Sequence, residues 1–341
     1  MGYDAAARPR RGAAYPDPVL RIATFNVNGI RAAQRRGFES WLATTDPDVV
    51  ALQEVRCPPE ALPEGVFGDR HLAYDPGTLA GRNGVAVLTR EPPAAVRTWG
   101  APVVLRPPGG PSVHVGRSHD EAGMPSPAGP PAPRAQPGLA RGLARFAQEG
   151  RYLEVDLADR PVTVASLYLP KGGLPAHLQE AGRMREAPDG GARHARKMRF
   201  LDSFGRQLAR SRREARARGR EFLLLGDLNI AHTELDLFFW RRNREAVGFL
   251  PEERAWLDAQ LGPRTLVDVV RRLHPGRPGP WSWWSWLGGT YARDQGWRID
   301  YQLATPGLAR RAVSTHVDRE SATGVRMSDH GAVTVDYAWD G

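Results

Sequence analysis

The stretch EFLLLGDLNIAHTELD, Glu221 to Asp236, opens as a buried strand and turns polar within a few residues. Phe222 to Leu225 form a continuous apolar run of the kind found in a sheet covered on both faces, and Gly226 ends it. Asp227 and Asn229 are expected to project together from one strand face, with Ile230 returning to the core. That spacing suits a base and a phosphate-contacting amide acting on one centre, while His232 reads as a loop residue.

Outward from this strand the same pattern recurs. VLRIATFNVNG alternates like a strand from Val19, and GFESWLATTDPDVVALQE reads as a short helix followed by a second buried strand. NGVAVLTR, RYLEVDL and PVTVASLYLP are further strands, the last two joined by the turn ADR. In RHARKMRFLDSFGRQLARSRREARARG, Met198, Leu201, Phe204 and Leu208 recur at helical spacing beneath an Arg-rich face. A helix at PEERAWLDAQLG, a strand-like RTLVDVV and closing strands in WRIDYQLAT and GAVTVDYAW follow. Short links between many strands point to a two-sheet α/β sandwich, one domain over residues 18–341. Nine prolines between Pro107 and Pro137 mark a flexible insertion at about 105–140, unfit for helix or ladder, and residues 1–17 read as a loose tail.

Composition narrows the setting. The net charge of +9, from 47 Lys and Arg against 38 Asp and Glu, favours a polyanion, although an Arg-rich codon bias produces the same excess. A single cysteine, Cys57, excludes an internal disulfide and a Cys-based zinc site and suits a reducing cytoplasm. No run approaches the roughly 20 apolar residues of a membrane span.

Polar residues collect where strands give way to loops: Asn26 and Asn28, Gln53 and Glu54, Tyr168, Asp227 and Asn229, Asp300, Asp329 and His330. Any one of them is an ordinary turn former. Gathered on one edge of a sandwich, they would supply hard oxygen ligands for Mg²⁺ or Mn²⁺, a carboxylate-held histidine for a phosphate and an Asp to activate water. The set reads as metal-assisted phosphodiester hydrolysis.

TFNVNGIRA, LQE, YLPKG, GDLNIAHTELD, GFLPEERAWLD, GWRIDY and SDH stand in the order seen in exonuclease III-type apurinic/apyrimidinic endonucleases, and the chain resembles that family from about Val19 to Tyr337. LQE, GDLN and SDH mark the wider endonuclease/exonuclease/phosphatase superfamily, whereas NGIRA, FLPEER and GWRIDY resemble its DNA-repair branch. The resemblance implies a DNase I-like fold, a four-layered α/β sandwich of two mixed β-sheets flanked by helices. It implies Mg²⁺-dependent cleavage of duplex DNA 5′ to abasic sites, with trimming of 3′ ends, by a monomer working at the bacterial nucleoid. By the same resemblance Asn28, Glu54 and Asp329 form the metal environment, and Tyr168, Asp227, Asn229, Asp300 and His330 carry catalysis. Asn26 and Asn243 support the site or contact DNA phosphate, and Lys171 adds a phosphate-binding charge. The chain departs from the family at Ser166, where Asn is common, and at Lys171, where Gln or Asn is usual.

WSWWSWLGGTYARDQGWRID carries five tryptophans between Trp281 and Trp297. Core packing is the ordinary reading and is expected for Trp284, but alternation cannot bury the whole block. The resemblance puts Trp283, Trp297 and Ile299 in an apolar pocket for a flipped abasic sugar. Two competing readings remain: a superfamily phosphoesterase acting on RNA, phospholipid or inositol phosphate, and a DNA-binding protein without activity.

Overall fold

The computed structural model describes residues 19–79, 81–100, 102–115, 139–182 and 186–339. The expected N-terminal tail lies outside these residues, as does most of the proline-rich insertion. Strands and helices are numbered along the chain. Eight strands form one sheet in the order β13 (Ala312–Asp318), β14 (Ala332–Ala338), β1 (Val19–Asn26), β2 (Val49–Gln53), β4 (Val85–Thr89), β3 (His71–Asp75), β6 (Val103–Arg106) and β7 (Val113–Val115). Six form the other: β11 (Val267–Asp268), β12 (Asp300–Ala304), β10 (Glu221–Asp227), β9 (Val162–Tyr168), β8 (Tyr152–Asp156) and β5 (Ala95–Thr98). Both sheets are mixed, because β1 runs parallel to β2 but antiparallel to β14, and β10 runs parallel to β9 but antiparallel to β12.

Strand β10 shows why the apolar run in EFLLL is continuous. Leu223 and Leu225 face the other sheet, in a core with Ile22, Ala51, Val164 and Val335. Phe222 and Leu224 face the opposite way and pack with Phe200, Leu201, Phe204 and Leu208 of α3 (Ala192–Ala217). The outer face of the eight-stranded sheet is covered by α1 (Ile30–Arg35) and α2 (Phe38–Thr45), whose Phe38 and Trp41 pack on Phe25. Helices α4 (Pro251–Gln260), α5 (Val269–Leu273) and α6 (Pro306–Arg311) complete the set. Helix, sheet, sheet, helix is the four-layered α/β sandwich that the sequence led us to expect.

Two expectations need correction. RTLVDVV is not one strand: β11 is two residues long, and the Asp268 carboxylate accepts the Arg271 N–H at 3.0 Å, capping α5. The proline-rich segment does sustain a ladder at its start, because Val113–Val115 pairs with Val103–Leu105 as an antiparallel edge strand. Prolines flank that pairing rather than interrupt it, as edge strands permit.

The space between the sheets changes character along its length. It is apolar through Ile22, Val49, Val164 and Leu223, then turns polar as the strands run out. Thr24 donates to Gln53 at 3.2 Å, Gln53 donates across the gap to Ser166 at 3.1 Å, and Ser166 donates to the Leu52 carbonyl at 3.0 Å. Ser166, where the family resemblance leads one to expect Asn, is therefore a fully buried bridge between the sheets.

Candidate active site

Register alone brings the polar strand ends together. In the six-stranded sheet Asp227 pairs with Tyr168 on one side and Asp300 on the other, and in the eight-stranded sheet Asn26 pairs with Gln53, one residue before Glu54. All of these lie where the sheets face each other. Gly226 makes this approach possible: its φ is +137°, and a Cβ there would stand 2.0 Å from the Leu167 carbonyl oxygen.

At the centre, Asn26 donates both protons of its amide nitrogen, one to Glu54 Oε1 and one to Asp227 Oδ2, each at 2.9 Å. Asn26 is completely buried, and of the two roles the resemblance allows it, its contacts fit support of the site: it holds two carboxylates together. His330 Nδ1 lies 2.8 Å from Asp300 Oδ2, and its Nε2 faces Asp227 Oδ2 at 3.8 Å. Ligand atoms of Glu54, Asp227 and His330 fall within 4.8 Å of one another.

Electrostatics divides these groups into roles. Burial acts to lower the pKa of His330, but the charges of Asp300 and Asp227 outweigh it and raise the imidazole to about 10. A protonated imidazole has two donors and no lone pair, so a charged His330 suits an anion better than a metal ion. Burial pushes Asp227 up to about 7, helped by Asp300 and Glu54 and opposed by His330, which makes its carboxylate a stronger base than an exposed one. Burial, then the Glu54 charge, raises the Tyr168 hydroxyl well above its usual range and keeps it a proton donor.

The remaining donors fit a hard divalent cation. Glu54 Oε2 and Asp300 Oδ1 are buried and accept no well-formed hydrogen bond, although the Arg56 guanidinium lies against Glu54 Oε2. One or two carboxylates with an unshared oxygen are what a small oxygen-seeking cation takes. The expected trio of Asn28, Glu54 and Asp329 is linked through other contacts, with Arg56 against both Asn28 Oδ1 and Glu54 Oε2. Asn28 also donates to Asp329 Oδ1 at 2.8 Å, and Trp283 Nε1 donates to Asp329 Oδ2 at 3.1 Å. The His330 charge and these bonds overcome burial and hold Asp329 below the usual carboxylate range.

Asn229 also departs from expectation. It is not on a continuing strand but in the left-handed region, with φ of 49°. Its N–H donates to Asp227 Oδ1 at 2.8 Å, and its side-chain nitrogen reaches the Leu169 carbonyl at 3.0 Å and Asp227 Oδ2 at 3.3 Å. The Asx turn brings the amide to the carboxylate more closely than strand geometry would.

Tryptophans 283 and 297 form a wall beside this centre. Their rings meet edge to face at 6.2 Å, and they are half-buried against Ala231, Leu237, Phe249 and Ile299. Trp284 is buried and Trp286 is half exposed, in line with the alternation argument. Ser282, which the sequence reading passed over, accepts the N–H groups of Ile299 and Asp300 at 3.1 and 3.0 Å. Ser328 was likewise missed: its hydroxyl donates to the Asn26 carbonyl at 2.8 Å and accepts the His330 N–H at 3.2 Å. Small polar residues locked between motif residues were the available signal for both.

Lys171 and Asn243 contribute side chains outside the buried cluster. Lys171 is exposed, and Asn243 donates to the Phe239 carbonyl at 2.9 Å within a run of arginines, Arg241, Arg242 and Arg244. Those arginines line an open basin of about 440 Å³. His232 is a half-buried loop residue, as expected.

An imidazole of raised pKa 3.8 Å from a carboxylate of raised pKa, with Glu54 alongside, suits hydrolytic phosphate chemistry. Residues 23–330 match the Endonuclease/Exonuclease/phosphatase family, and the chain belongs to it. It is similar to the DNA-(apurinic or apyrimidinic site) endonuclease of Dictyostelium discoideum, 24% identical over 93% of this chain and 70% of that protein. It is similar also to an exodeoxyribonuclease of Bacillus subtilis, 26% identical over 91% of this chain and 96% of that one. Among solved structures, an AP endonuclease from Archaeoglobus fulgidus shares the fold with a TM-score of 0.67 at 23% identity, covering 94% of this chain and 100% of that one. Among the described residues, no helix is long and apolar enough to cross a membrane.

Proposed function

We propose that the chain is a divalent-metal-dependent DNA-repair phosphodiesterase that hydrolyses duplex DNA on the 5′ side of an abasic site and trims 3′ ends. One observation supports this reading: the tryptophan wall and the hydrolytic centre share a backbone. Trp283 makes bridges both to Trp297 and to His330, which in this reading sets a sugar held against the wall beside the groups proposed for its phosphate. An abasic sugar lacks a base, and a small apolar pocket selects it by size.

In this reading Asp227 takes a proton from the attacking water, with Asn229 fixing the carboxylate through its backbone N–H and its side-chain amide. His330, kept charged by Asp300, and Tyr168 donate to phosphate oxygens. Glu54 holds the cation, with Asp227 adjacent and the charge of Asp329 nearby. Mg²⁺, or Mn²⁺ in its place, supplies charge neutralisation at the phosphoryl and leaving oxygens when bound. Lys171 and the Arg241–Arg244 run extend the basic surface along the DNA backbone. Residues 18–341 act as one catalytic unit, as a monomer in the cytoplasm.

The test is a labelled duplex with a single abasic site, incubated with Mg²⁺ or with chelator. Metal-dependent incision 5′ to the lesion supports the proposal. Cleavage only of RNA, a phospholipid or an inositol phosphate, or DNA binding without incision, would replace it.

A further inference from the structure

Lys197 and Glu253 are both completely buried and form an ion pair, Nζ to Oε1, at 2.7 Å. Lys197 lies on the inner face of α3, one turn before Phe200 and Leu201, and Glu253 is in the first turn of α4. Taking two charges out of water costs several kcal/mol per ion, and the attraction between them offsets this only when their other donors and acceptors are also engaged. They are. Lys197 Nζ donates to the carbonyls of Asn229 at 2.9 Å and Lys171 at 3.2 Å, in the loops that follow β10 and β9. Glu253 Oε2 accepts the N–H groups of Gly248 at 2.7 Å and Leu250 at 3.2 Å.

One ion pair thus ties three loops to two helices. The loop after β9 is shaped around it: Gly172 has φ of +83°, and a Cβ there would stand 2.6 Å from Lys197 Cδ. Gly248 is held just as closely, since its Cβ would meet the Asn229 carbonyl at 3.0 Å. Asn229 lies in the left-handed region, which asparagine tolerates, so its turn is held by its hydrogen bonds rather than by strain. Its side chain is fixed by Asp227 and Leu169, and its carbonyl is fixed by Lys197.

We infer that the Lys197–Glu253 pair is a positioning device that holds the Asn229 turn, and through it the Asp227 carboxylate, in reacting geometry. The inference rests on the reading of Asp227 and Asn229 as the groups at the scissile phosphate. Neither Lys197 nor Glu253 touches substrate, so both act through Asn229. A pair that served packing alone would be replaceable by neutral residues of similar shape without consequence for turnover.

Lys197→Met alone leaves Glu253 charged and unpaired and is expected to destabilise the fold. The double variant Lys197→Met/Glu253→Gln removes both charges and keeps an amide oxygen for Gly248 and Leu250, so it tests the role in a folded chain. For that variant kcat on an abasic duplex falls about a hundredfold while KM stays within about threefold, the signature of misplaced reacting groups. In parallel, the Asn229 amide, which donates to Asp227 Oδ1, exchanges with solvent faster than in the parent. Parent-like kcat with parent-like protection of Asn229 overturns the inference, as does a loss confined to KM. The exchange measurement does not depend on incision: a parent chain that fails to cut abasic DNA defeats the proposed function, while protection of Asn229 still decides the positioning role.

Discussion

Asp300 Oδ2 sits 2.8 Å from His330 Nδ1, with both side chains buried and the imidazole held as a cation by its carboxylate neighbours. The charge on His330 is therefore set by a residue thirty positions away in sequence.

Replacing Asp300 by Asn removes the principal charge that offsets burial, and the His330 pKa falls. If the imidazolium acts on phosphate, the alkaline limb of the pH–rate profile moves to lower pH and the rate at neutral pH falls by about 10²–10³. The linkage has a definite sign. Because the folded pKa is raised to about 10 from an unfolded value of about 6.5, the stability His330 contributes is complete below the unfolded value and is lost as pH rises through the folded one. An unmoved alkaline limb in the Asp300→Asn chain would show that His330 works uncharged.

Asn26→Ala removes the donor shared by Glu54 and Asp227. Glu54 Oε1 and Asp227 Oδ2 each lose a hydrogen bond, and Asp227 Oδ2 keeps only the longer one from Asn229 at 3.3 Å, so the loss costs about 1–3 kcal/mol. Loss of a hydrogen bond to the charged form raises the Asp227 pKa further, so the acid limb of the pH–rate profile moves to higher pH. Parent-like stability and an unmoved acid limb would contradict the bridging role.

Asp236, at the far end of the opening stretch, forms a second buried network. Arg298 Nε donates to Asp236 Oδ1 at 2.7 Å, Arg271 pairs with the same oxygen, and Arg298 Nη2 reaches Asp268 Oδ2 at 2.7 Å. Burial alone would push the carboxyl up, but the two guanidinia hold it well below the usual range. A depressed folded pKa gives stability that is present above the unfolded value of about 3.9 and is lost as pH falls through the folded one. Asp236→Asn is expected to cost about 3–5 kcal/mol in chemical denaturation near neutral pH. It should also flatten the acid side of the stability profile.

Trp297→Ala opens the pocket wall formed with Trp283 and Ile299. Incision of an abasic duplex relative to an undamaged one should fall by about 10–200-fold, the discrimination that a mismatch of one methylene produces in an apolar pocket. Equal loss on both substrates would place Trp297 outside the selective pocket.

The residues read most directly from the sequence were those whose neighbours in the chain disclosed their place. Asp227 and Glu54 end apolar runs, and His330 follows Asp329 just ahead of a strand, so strand position and chemistry agreed. What stayed hidden depended on contacts across the chain. Nothing local to Asn26 says that it is buried between two sheets. The Asx turn at Asn229 replaces a strand because Asp227 caps its N–H and Lys197, distant in sequence, holds its carbonyl. A period of two does not reveal that twist of the backbone. Lys197 offered a usable hint, since it falls on the same helical stripe as Leu201, Phe204 and Leu208, where an ammonium has no solvent. Short edge strands such as Val113–Val115 carry too little pattern to separate from loop.

In the proposed reaction the buried cluster of Glu54, Asp227 and His330 cleaves the DNA backbone at abasic sites. Single-turnover incision of a duplex with one abasic site, measured with Mg²⁺ for the parent, Glu54→Ala and Asp227→Ala, with circular dichroism on each, tests it most directly. Incision by the parent and a loss of about 10²–10⁴ in each folded variant are expected. Full incision by either variant would contradict it.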